Sequence, residues 1–116
     1  MFLPAPDESL WVGVLRLGLF VPASRSLKDK RRVVASVRDR LRARHHVAVA
    51  EVAHLEDHTR AIVAVSLVGN DPRGLRSTLD ALAWDLQSWC EARVESVEVA
   101  VLRPFAGAGP QEVWHG

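Results

Sequence analysis

The chain has 116 residues, 48% of them hydrophobic and 25% charged, with a formal net charge of +1. This is the size and composition of one globular domain with one core. It excludes several classes: no apolar run approaches the roughly 20 residues of a membrane helix, and a single cysteine, Cys90, rules out an internal disulfide or a Cys-cluster metal site. Met1 to Ser9, with Pro4, Pro6, Asp7 and Glu8, lacks the basic start of a signal peptide, so a cytoplasmic protein is expected.

The charge is strongly polarised. In the twenty residues from Arg25 to Arg44 stand Arg25, Lys28, Lys30, Arg31, Arg32, Arg38, Arg40, Arg42 and Arg44 against Asp29 and Asp39, a net of +7. The rest of the chain holds six basic and twelve acidic residues, a net of −6. A basic segment of this density is the usual electrostatic footprint of a polyanion partner.

In chain order, residues 1–9 read as a flexible leader and residues 10–103 as one domain. Leu10 to Val21 (LWVGVLRLGLFV) is a central strand in which Gly13 and Gly18 allow close approach of a neighbour. Pro22 and Ala23 break it. Ser26 is an N-cap, with Asp29 three residues on as a weak capping box, and the helix that follows should end near Arg44 to His46. On a helical wheel Leu27, Val33, Val34, Val37 and Leu41 form a core stripe. Lys28, Arg31, Arg32, Arg38 and Arg42 share the adjoining face.

His46 to Ala53 and Ala61 to Val68 are valine- and alanine-rich strands joined by a polar turn, an antiparallel hairpin. Asp71 then caps a second helix with Pro72 at its first position. Leu75, Leu79, Leu82, Leu86 and Trp89 mark its buried stripe to about Glu91, with Trp84 and Trp89 as core or interface anchors. Arg93 to Leu102 is the last strand, ended by Pro104. Residues 104–116, which include Trp114, form a loosely ordered tail.

The order β-α-β-β-α-β with right-handed crossovers predicts an α+β, ferredoxin-like sandwich, a four-stranded antiparallel sheet with two helices on one face. The strands carry apolar residues at both parities, such as Val63, Val65 and Leu67 beside Ile62, Ala64 and Val68. The uncovered sheet face is therefore expected to join copies of the chain as a homo-oligomer.

Ser26-Leu27-Lys28-Asp29-Lys30-Arg31-Arg32, Arg40-Leu41-Arg42-Ala43-Arg44, Val47 to Val52 and Gly69-Asn70-Asp71 together resemble the YlxP-like family of small uncharacterised bacterial proteins. The resemblance covers roughly residues 10–103, and its most specific part is the S-L-K-x-K-R signature between first strand and first helix. It implies a ferredoxin-like fold. Genes of that family often lie among those for transcription and translation factors, which implies work on RNA or the ribosome without supplying an activity. The hairpin departs from the family pattern. Where an aromatic-Gln-Arg stretch is usual, this chain has His58-Thr59-Arg60, so only Arg60 matches.

The basic helix is the leading site, a surface for the phosphates of RNA or a ribosomal particle. Its ligands are expected to be Arg25, Ser26, Lys28, Lys30, Arg31, Arg32, Arg38 and Arg42, joined by Arg60. Free backbone N–H groups at Ser26 to Asp29 would add to the site. Stacking of bases on the sheet is not expected, because the central strands hold only Trp11 and Phe20 as aromatics, near opposite ends of the first. His45, His46, His54 and His58 with Glu51 and Asp57 read as turn and strand-end residues facing water, not a metal site. Cys90 reads as filler at a helix end. There is no Gly-rich phosphate loop, nucleophile elbow or paired-carboxylate motif, so no catalytic residue, cofactor or membrane association is assigned. The alternative is a homo-oligomeric regulatory or assembly module with no nucleic-acid role.

Overall fold

The computed structural model describes residues 6–89 and 91–105. Residues 1–5 of the expected leader, Cys90, and the tail from 106 with Trp114 lie outside the described residues. Strand β1 (Trp11–Phe20) is followed by helix α1 (Leu27–Arg44), the hairpin β2 (Ala48–Ala53) and β3 (Arg60–Gly69), helix α2 (Pro72–Gln87) and strand β4 (Arg93–Leu102). The four strands form one antiparallel sheet in the order β2-β3-β1-β4. This is the ferredoxin-like α+β arrangement, with β1 and β3 at the centre and both helices on one face.

Alternation along the strands places the core. Leu15, Leu17 and Leu19 of β1 and Ala61, Val63 and Val65 of β3 point to the helix side and are buried. Against them pack Val37 and Leu41 of α1 and Leu79, Leu82, Ala83 and Leu86 of α2. Each fully buried leucine or valine contributes about 1.5–3 kcal/mol of transfer free energy, which is why the valine-leucine stripes decide how the helices are rotated. Gly13 permits the close packing of α2 on β1: a Cβ there would come within 2.8 Å of Leu79 Cδ1. Asp71 caps α2 by accepting from the Arg73 N–H at 3.2 Å, with Pro72 at the first position.

Two expectations need adjusting. Helix α2 ends at Gln87, not near Glu91, so Trp89 packs against the core from beyond the helix. Trp84 is not a core residue: its side chain lies in solvent, 77% exposed. Ser9 is tied down, its hydroxyl donating to the Asn70 carbonyl at 2.8 Å. Among the described residues no helix is long and apolar enough to cross a membrane.

Candidate nucleic-acid interface on the first helix

Helix α1 begins at a closed cap. The Ser26 hydroxyl accepts from the Asp29 N–H at 3.1 Å, the Ser26 carbonyl accepts from the Lys30 N–H at 3.1 Å, and Asp29 Oδ2 accepts from the Arg25 N–H at 3.1 Å. Asp29 thus reaches back to the residue before the cap, a variant of the capping box. Of the donors from Ser26 to Asp29 that sequence reasoning assigns to a phosphate, these bonds use that of Asp29. The shallow cleft beside them is lined by the carboxylates of Asp29 and Glu91 as well as Arg32. The Asp29 N–H is thus spent on the cap, and the two acidic residues lower the positive potential at this helix end.

Beyond the cap, helical phase sorts the cations. Lys28, Arg31, Arg32 and Arg42 are exposed on the side away from the core, and Arg38 is half-exposed beside them. Arg32 lies 3.6 Å from Asp29 and Arg38 lies 3.5 Å from Asp39. Such surface pairs hold about 0–1 kcal/mol and exchange readily for another anion. Among the described residues no carboxylate pairs with Arg25, Lys28, Arg31 or Arg42 within 4.0 Å. Arg31 and Arg38 also line a groove of about 310 Å3 between α1 and the edge strand β2, whose far side is Val49, Ala50 and Glu51.

The other flank of α1 is different. Arg40 and Arg44 both turn to Asp85 of α2, at 3.5 and 3.2 Å, and the Arg40 guanidinium sits 5.9 Å from the centre of the Trp89 ring. Sequence reasoning misses this link between the helices. Its only signal is an acidic residue on α2 among leucines.

Lys30 is a correction. Expected as a phosphate ligand, it has no exposed surface. Its Nζ pairs with Glu51 Oε2 at 2.8 Å and donates to the carbonyls of His54 at 2.7 Å and Arg60 at 3.1 Å. The ammonium thus gives two hydrogen bonds to backbone carbonyls and holds the Glu51 carboxylate as an ion pair, all within the protein. The reason is phase: Lys30 stands one turn before Val33 and Val34 and two turns before Val37, on the buried stripe. It clamps α1 to the β2–β3 hairpin. His54 supplies one acceptor at the start of the turn, with a φ of 60° that non-glycine residues seldom adopt.

Arg60 is also separated from the helix patch. It pairs with Phe20 across β1 and β3, and strand alternation sends its side chain to the sheet face opposite the helices. There its guanidinium lies 4.5 Å from the centre of the Phe20 ring and 3.3 Å from Glu95. In the same turn, Asp57 Oδ1 accepts from the N–H of Thr59 at 2.8 Å, its hydroxyl at 3.0 Å and the N–H of Arg60 at 3.1 Å. The Thr59 N–H, followed by the Thr59 hydroxyl, holds the Asp57 carboxyl below the usual carboxylate range. Among the described residues no three of His, Cys, Asp and Glu gather as a metal-ligand set.

These features define a ferredoxin-like α+β domain with a cationic outer helix. The chain belongs to the family described as "Protein of unknown function (DUF503)", which matches residues 12–99. That span runs from β1 into β4 and takes in both helices. The comparison with curated proteins gives no match.

Proposed function

We propose that this protein is an RNA- or ribosome-associated binding module of the cytoplasm that contacts phosphates through the outer stripe of α1. The observation that carries this reading is the set Lys28, Arg31 and Arg42, which has no carboxylate partner among the described residues, flanked by weakly paired Arg32 and Arg38. From Lys28 to Arg42 the stripe runs about 20 Å at the helical rise, long enough for several phosphates. The resemblance to the YlxP-like proteins, whose gene neighbourhood implies RNA or ribosome work, supports the same reading. Contacts of this type position a backbone without reading bases, and no catalytic step belongs to it.

The test is fluorescence anisotropy with a labelled RNA hairpin across a salt series. Binding is expected to weaken with salt at a slope worth about 3–5 phosphates. Affinity that does not change between low and moderate ionic strength contradicts the proposal. In cells, crosslinking is expected to recover RNA or ribosomal particles with the protein.

A further inference from the structure

We infer that the open face of the sheet is a two-fold interface between two copies of this chain. Both helices lie on one side, so the even-numbered residues of β1 and β3 face away from the core. Val12, Val14, Ile62 and Ala64 are there only half-buried, and Val68 at the same face is 67% exposed. Ala48 and Ala50 extend the apolar field across β2, opposite Ser66 and Ala64. Water-facing apolar surface of this continuity marks an interaction site.

The shape of the face suits another sheet. Around the paired Arg16 and Glu98 at its middle it is built from the short residues Gly18, Ser96, Ala64 and Ser66, which stand in neighbouring register or on adjacent strands. At Gly18 a Cβ would fall 2.3 Å from the Ser96 hydroxyl, so the Ser96 side chain closes the surface over the glycine. Short side chains allow a second sheet to approach to about 10 Å. Four strands about 4.8 Å apart, with β1, β3 and β4 about 30 Å long, present on the order of 500 Å2. Two copies together bury roughly the 1,000 Å2 that a specific interface requires, even before side-chain relief is counted.

Charge selects the occupant. The ionic groups on this face come as pairs of opposite sign: Arg16 Nε donates to Glu98 Oε1 at 3.0 Å, and Arg60 lies 3.3 Å from Glu95. The additional Arg93 lies 5.8 Å from the centre of the Phe20 ring. A nearly neutral face gives no sign by which a polyanion would prefer it. An isologous partner, by contrast, returns each arginine a glutamate and each glutamate an arginine. Such pairs set register and orientation more than affinity. The stripe of α1 is strongly positive, with Lys28, Arg31, Arg32, Arg38 and Arg42 against the exposed Asp39, and repels its own copy, so of these two surfaces the sheet is the one that can meet itself.

The experiment is light scattering and sedimentation equilibrium on the full chain, with circular dichroism as the folding control. The wild type is expected at twice the chain mass at about 100 µM and to dissociate on dilution. Ala64→Arg places a second long cation directly opposite Arg16 at the centre of the face. Val68→Lys places a charge at an already exposed position that the fold tolerates. Each is expected to raise the dimer dissociation constant at least about 10-fold. Arg16→Glu and Glu98→Arg are expected to weaken the dimer singly and to restore it together. A wild type that stays at the chain mass, with the face open or reserved for a different protein, overturns the inference. So does a dimer that both Val68→Lys and Ala64→Arg leave unchanged. Replacing Lys28, Arg31 and Arg42 with Gln is expected to leave the dimer intact, so this result and the RNA result fail independently.

Discussion

The outward and inward cations of α1 come from one run of sequence and end in opposite physical situations. Lys28, Arg31 and Arg42 face solvent with no carboxylate partner among the described residues, whereas Lys30, two residues from Lys28, turns its ammonium to two backbone carbonyls and the Glu51 carboxylate inside the protein. Arg40 and Arg44 take a third course, linking α1 to Asp85 of α2. A count of charge along the chain therefore overstates the positive surface. Each basic side chain is assigned by the angle at which the helix presents it: exposure on the outer stripe, cohesion on the inner ones. The buried lysine also explains part of the S-L-K-x-K-R signature as a demand of folding, not of binding.

The comparison breaks most visibly in stability. Lys30→Met leaves the partly buried Glu51 and two carbonyls without their donor, at a cost of about 3–5 kcal/mol. A fall in Tm of more than about 10 °C is expected. Lys28→Met is expected to change stability by less than about 0.5 kcal/mol. Denaturant unfolding of the two variants checks this, and equal losses would erase the distinction. Replacing Glu51 with Leu in the Lys30→Met background is expected to recover much of the loss.

Next in size is the effect on RNA. Lys28→Gln, Arg31→Gln and Arg42→Gln combined are expected to lower affinity at low salt by on the order of 10-fold or more, without moving Tm. Arg40→Gln with Arg44→Gln sharpens the contrast. It is expected to cost less than about 1 kcal/mol of stability and to leave RNA affinity within about twofold. Calorimetry beside anisotropy reads both.

The smallest effect concerns the hairpin that Lys30 grips. The folded pKa of Asp57 lies below its ordinary value of 3.8, so as pH falls the unfolded chain takes up the proton first. Its contribution to stability is full above pH 3.8 and is lost as pH drops through that value toward the depressed folded one. Asp57→Asn is expected to flatten this part of the stability profile, measured by unfolding between neutral and acid pH.

Much of the fold is legible because local signals agree. Ser26, Asp71 and Pro72 start the helices where their chemistry demands, Pro104 follows the last strand, and the bounds Arg93–Leu102 are those of the alternating valines. The family resemblance and the family match cover nearly the same residues. The site is less legible because charge reads as exposure until a helix is given its phase. Lys30 reads as a phosphate ligand although it stands on the Val33–Val37–Leu41 stripe, and its acceptors come from a strand and a turn far along the chain. Arg60 follows the same logic on a strand, where parity sends it to the open face. The short end of α2 has no local marker, since Leu86 and Trp89 continue the helical spacing while the backbone leaves the helix after Gln87.

The most direct test of the central claim, that the outer stripe and not the whole basic segment meets phosphates, is the salt slope of RNA binding. It should be compared between the Lys28/Arg31/Arg42→Gln variant and the Arg40/Arg44→Gln variant. The outer-stripe variant is expected to lower the slope by about 3, one for each phosphate left without its cation, while the Asp85-facing variant keeps the wild-type slope. Equal slopes for the two variants, or a wild type without salt dependence, would contradict the account.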